Sequence, residues 1–333
     1  MNRWYVLLLL TIHFSCGNKR YVPDVSGIRA PVSLLRFEQS FFAFDTLQPE
    51  AALQDLTETY HGFAQDFLFN ILGSSPAGIS QDIPLFIRSY TSIAKDAATQ
   101  FTDLTKEVNE IQQGLRFIKY YFPDYRLPEK LITFIGPLNS YGSIITPDGL
   151  AVGLQLYLGS SHPLYLSEEG QQMYPRYISR RFDRMYIPVN AVKNVMDDLY
   201  PPNYAGKTLV EQMVEAGKRM YLLDQLMPDA PDSIKTGYTQ KQLEGCYEHE
   251  KNIWSFFIQN NLLYVIDPEI IRDYMADAPN TPTLGQASPG FIGQFVGWQI
   301  VKKWMAAQKD QTNMKMLMET PVKKIFEEAK YKP

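Results

Sequence analysis

Residues 288–304, SPGFIGQFVGWQIVKKW, set the plan of the chain. Ser288 can cap a helix and Pro289 suits its first turn, where no backbone donor is needed. Apolar residues then recur on two adjoining stripes. One holds Phe291, Phe295, Trp298 and Met305; the other holds Ile292, Val296, Ile300 and Trp304. Together they cover most of the helix surface, which predicts a buried helix. Gly293 and Gly297 lie four apart on one face. A helical Gly costs up to about 1 kcal/mol, so two of them predict a second backbone packed very close. The G-x-x-x-G spacing also occurs in membrane helix pairs. Here Gln294, Gln299, Lys302 and Lys303 break the apolar run well short of a span.

Around this helix lies a chain of 333 residues, enough for one large domain or two ordinary ones. Its 45% hydrophobic and 13% aromatic content supports a sizeable core. A formal net charge of −4 and the lack of a long basic tract argue against nucleic-acid binding. No P-loop or G-x-G-x-x-G occurs, so a nucleotide site has no support.

The N-terminus gives an address. Arg3 precedes the apolar run Trp4–Ile12, which is of signal-peptide length and too short for a mature span. Phe14-Ser15-Cys16-Gly17 follows, and small residues around a Cys at that place resemble the lipobox of bacterial lipoproteins. His13 stands where that pattern usually has Leu. The resemblance implies a signal peptide over 1–15, a lipidated Cys16 and a membrane tether over 16–33, leaving 34–333 as the globular domain. Cys246 would then have no disulfide partner and is expected to be a small buried residue. No acidic cluster follows Cys16, which favours a periplasm-facing protein over a surface-exported one.

Residues 34–45, LLRFEQSFFAFD, are ambiguous between helix and strand. Helices are predicted near 48–72, 101–122, 189–199, 209–226, 241–260 and 288–305 from apolar 3–4 spacing. Thr239 and Gln242 can form a capping box. Between these helices, 130–135, 142–146 and 150–158 read as short strands, with a turn at Thr146-Pro147-Asp148-Gly149. The expectation is a helix-rich α+β single domain with a small, mostly antiparallel sheet.

Catalytic patterns are weak. After the signal region the chain holds only His61, His162 and His249, no two within one helical turn. His249-Glu250-Lys251-Asn252-Ile253 begins like H-E-x-x-H, but Ile253 cannot bind zinc, and a solvated face bearing Glu244, Glu248, His249 and Glu250 fits better. Ser160-Ser161-His162 puts hydroxyl beside imidazole without triad geometry. Cys246 has acidic neighbours that disfavour a thiolate. Glu211 and Glu215 are one turn apart, and are expected on a solvent face rather than as a glycosidase pair. The stretch 174–186, YPRYISRRFDRMY, mixes Arg with Tyr, the types enriched at interface hot spots. Tyr177, Arg180, Arg181 and Arg184 are therefore an expected interaction surface, unless they simply cover the protein's own core.

Four segments in one order carry a family resemblance: Arg36-Phe37-Glu38 with Phe41, Phe42 and Asp45; 156–163, LYLGSSHP; 217–224, GKRMYLLD; and 288–301, SPGFIGQFVGWQIV. Together with the lipobox they resemble the gliding motility lipoprotein GldB family of Bacteroidetes. The resemblance implies a non-enzymatic accessory of the gliding machinery, held in the cell envelope by lipid and acting on a protein partner, with no cofactor. That family is remotely similar to predicted zinc peptidases of zincin type, in which a sheet precedes an H-E-x-x-H helix and a later helix carries an E-G-x-A-like motif. The sheet region and Glu215-Ala216-Gly217 stand in the same order here. Residues 189–199 between them, VNAVKNVMDDL, contain no His. The zincin-like resemblance therefore implies a retained scaffold, no metal and Glu215 as a remnant. Two other readings stay open: an active envelope hydrolase, and a peptidoglycan or carbohydrate binder.

Overall fold

The computed structural model describes residues 22–333; Cys16 and the signal region lie outside the described residues. The chain forms a helix-rich α+β domain around a four-stranded sheet. Its strands are β1 (Ser33–Arg36), β2 (Lys130–Phe134), β3 (Ser143–Thr146) and β4 (Gly149–Gly153), in the order β1-β2-β4-β3.

The sheet is mixed, not mostly antiparallel. β1 pairs parallel with β2, β2 parallel with β4, and only β3 runs antiparallel, beside β4. The Thr146–Gly149 turn makes that one hairpin as its sequence predicts. The parallel β1–β2 pair is closed by a long helical crossover that includes Pro49–Gln65, Ile79–Gln100 and Thr105–Tyr121, and such non-local pairing leaves no turn signal. β4 is also shorter than expected, because Leu154–Leu156 coil into a 3-10 turn. The ambiguous 34–45 segment is both things: β1, then the short helix Phe37–Phe42.

β2 and β4 are covered on both faces, as parallel strands usually are. Ile132, Phe134 and Ala151 face a cluster of phenylalanines: Phe37, Phe41, Phe63, Phe67 and Phe86. Leu131, Leu150 and Val152 face the main core. That core includes Val25 and Ala30, so the lower part of the stretch read as tether is docked on the domain. Gln112 holds it there by donating to the Ala30 carbonyl at 2.9 Å.

The helices Leu209–Leu226 and Ile292–Ala306 cross at the centre of the main core. A Cβ on Gly297 would collide with the Met213 carbonyl, and one on Gly217 with the Gly297 carbonyl. The two backbones touch, which is what the glycine spacing predicts. The helix start differs from expectation. Ser288 does not cap it: its hydroxyl donates back to the Gly285 carbonyl at 2.6 Å. The helix begins at Ile292, after Phe291 adopts a left-handed conformation (φ 56°, ψ 36°). Trp298 is fully buried, donates to Asp224 Oδ2 at 3.0 Å, and has the Lys302 ammonium 3.4 Å from its ring centre.

Candidate functional site: a cationic cleft around Lys193

The helix Ile187–Leu199 has Pro188 in its first turn and buries Ile187, Val189, Ala191, Val192, Val195 and Met196. Its other stripe is polar: Asn190, Lys193, Asn194 and Asp197 recur at i, i+3, i+4 and i+7. Three adjoining cavities meet at Lys193. The first, ≈ 340 Å³, lies between Ser143, Tyr157, Phe182, Asn190, Asn194 and Thr236. A second of ≈ 260 Å³ is bounded by Arg180, Arg181, Asp277 and Phe291. The third, ≈ 140 Å³, is bounded by Asp197, Ala216, Arg219 and Phe291.

Lys193 is enclosed at its charged end, and burial, reinforced by Arg181, pulls its pKa down to about 8. It donates to the Lys235 carbonyl at 2.8 Å. Arg219 is ion-paired with Asp197 and donates to the Tyr200 carbonyl at 2.6 Å; burial brings it down to about 10. Tyr157 is 2% exposed, accepts from Asn190 at 3.0 Å, and is pushed up to about 12 by burial. Phe291, which bounds two of the cavities, holds its left-handed backbone while its carbonyl accepts from Tyr238 at 2.8 Å. Such a conformation costs roughly 1–3 kcal/mol and persists only where its surroundings enforce it.

The residues singled out in the sequence fall mostly elsewhere. Glu215 is 7% exposed and ion-paired with Lys207 at 3.3 Å, so it does not lie on a solvent face. Glu211 closes a capping box with Thr208, accepting its N–H at 2.9 Å. Arg180, Arg181 and Arg184 are half-buried and bound to the protein itself. Arg180 donates to the Gly237 carbonyl at 2.7 Å, Arg181 pairs with Asp277, and Arg184 grips Glu107 through two donors at 2.8 and 2.9 Å. Tyr177 is half-buried beside them.

His162 donates from Nε2 to Asp96, 3.2 Å away, while its Nδ1 accepts from Leu164 to cap the next helix. His249 sits exposed at the break between Gln240–Glu248 and Glu250–Gln259, which replace the single predicted helix. Cys246 is 2% exposed, and burial pushes its thiol up to about 12. Among the described residues no three His, Cys, Asp or Glu side chains are grouped to hold a metal, and no helix is long and apolar enough to cross a membrane.

Sequence reasoning missed the cleft. Its signal was the polar i, i+3, i+4, i+7 stripe of Asn190, Lys193, Asn194 and Asp197 on a helix whose other stripe is apolar. Comparison with curated proteins and with solved structures gives no match. The family model described as "Gliding motility protein GldB" matches residues 18–333. That span covers all described residues, the crossing and the cleft included, and the chain belongs to the gliding motility GldB family of lipoproteins.

Proposed function

We propose that this chain is a lipid-anchored accessory of the gliding machinery, facing the periplasm and working by protein–protein contact rather than catalysis. The family match over residues 18–333 carries the proposal. Contact is supported by one exposed apolar stretch: Ile258 is 49% exposed, Tyr264 70%, Ile266 72% and Ile270 38%. Large apolar side chains concentrated in this way are typical of interaction sites. Asp267, Glu269 and Asp273 are interspersed with them, which suits a protein partner better than an anionic lipid surface. Anchoring would come from Cys16. A single acyl chain holds only marginally, so more than one is expected.

A test is to replace the resident copy in a gliding host of the family. Tyr264→Ser with Ile266→Ser is expected to abolish gliding while the protein accumulates normally, and Glu215→Gln is expected to leave gliding intact. Gliding unaffected by the first, or lost with the second in a folded protein, contradicts the proposal; the second result would favour an active hydrolase.

A further inference from the structure

We infer that the Lys193 cleft is a binding site for the terminal carboxylate of a peptide-type ligand. The charge balance of the first of these cavities, ≈ 340 Å³, leads to this. Two cations face it, Lys193 and Arg181. Arg181 is paired with Asp277, whereas no carboxylate among the described residues lies within ion-pair distance of Lys193. At this cavity one cation is therefore without a carboxylate at ion-pair distance, which matches a singly charged carboxylate. The ammonium has three donors, and one is given to the Lys235 carbonyl.

Further donors face the same space. Ser143 Oγ is enclosed there without a hydrogen-bond partner among the described residues. Buried hydroxyls normally find a partner, so its vacancy calls for an acceptor. Asn190 and Asn194, one turn apart on the cavity wall, offer amides that can meet peptide N–H and C=O groups. Leu156, Ile178, Phe182 and Ile234 supply an apolar wall for a side chain. This mixture of apolar wall and a few convergent polar groups is that of small-ligand sites.

Size agrees. At about 30 Å³ per water, ≈ 340 Å³ has room for roughly a dozen non-hydrogen atoms, one or two residues with their carboxylate. The adjoining ≈ 260 and ≈ 140 Å³ spaces lead onward past Lys193 and would take the preceding chain. The inference stands apart from the contact proposed at Tyr264, and either can fail without the other.

The test uses the chain from Gly17 to Pro333 and two pools of acetylated tripeptides randomised without Asp or Glu. One pool ends in a free carboxylate, the other in an amide, and binding is followed by ligand-observed NMR. The carboxylate pool is expected to bind, and the amide pool at least tenfold more weakly. Lys193→Met and Asn190→Asp are each expected to weaken the carboxylate pool at least tenfold with the melting temperature kept. Should Lys193→Met not fold, Asn190→Asp decides alone, since it adds a like charge at a side chain of the same shape. Equal binding of both pools, no binding of the carboxylate pool, undiminished binding by the folded variants, or displacement by inorganic phosphate at lower concentration than by acetate would each overturn the inference.

Discussion

The two sides of the β-sheet are packed by different chemistry. On one side Phe37, Phe41, Phe63 and Phe67 are fully buried, with ring centres 4.8 to 6.5 Å apart. Glu38, on the helix that carries Phe37 and Phe41, turns away from them to Arg36 and to Thr133, which donates to it at 2.7 Å. On the other side the main core encloses Asp224, Lys235, Lys218 and Arg219, and it opens at Lys193. Lys235 is 1% exposed and paired with both Asp224 and Asp232. The aromatic side needs only volume and shape. The polar side needs each charge met by a carboxylate or, as at Lys218, by backbone carbonyls, and Lys193, with no carboxylate at ion-pair distance, marks the cleft.

Substitutions can break this contrast. The largest effect is expected at the helix crossing, where Gly297→Val should give no folded protein by circular dichroism, because the Met213 carbonyl occupies the place of a side chain. Phe67→Ala should cost about 3–5 kcal/mol in urea unfolding, and Lys235→Met a similar ~3–5 kcal/mol, since it strips the ammonium from a buried carboxylate. The two cores separate in the double variant. Adding Asp224→Asn should recover much of the Lys235→Met loss, whereas no polar change should rescue Phe67→Ala. Thr239→Ala should cost about 1 kcal/mol by removing a capping box. Gly245→Ala should instead stabilise by about 0.5–1 kcal/mol, because its helical site faces open space. A loss at Gly245 as large as at Gly297 would show that the crossing is not special.

Much of the crossing was legible in the sequence. The two apolar stripes of 288–305, the close approach at Gly297 and the Thr239–Gln242 capping box are local patterns, and local patterns are what a sequence displays. The parallel pairings of β1 and β4 with β2 were not legible, because they join segments separated by helices or by a whole strand. The helix start at Ile292 was missed because Ser288 finds a carbonyl behind it and not an N–H ahead. Glu215 was misplaced because Lys207, from the loop before its helix, draws it inward. The cleft was the least legible part. Its wall brings residues from 142–157, 178–194 and 234–237 together, and only the stripe on Ile187–Leu199 hints at it.

The buried ammonium gives the cleft a pH signature. With the Lys193 pKa lowered to about 8, the folded chain holds this proton less tightly than the unfolded chain does. Stability should therefore rise with pH between about 8 and the ordinary lysine range. Carboxylate affinity should do the reverse: constant below about pH 8, then falling roughly tenfold per pH unit as the cation is lost.

The direct test is the titration of the Lys193 side chain, followed by NMR of nitrogen-15-labelled lysines and assigned with Lys193→Arg. The account predicts that Lys193 titrates near pH 8 and moves upward when the carboxylate pool is added. A Lys193 that titrates with the surface lysines, unmoved by the pool, would mean a solvated side chain and no built site in the cleft.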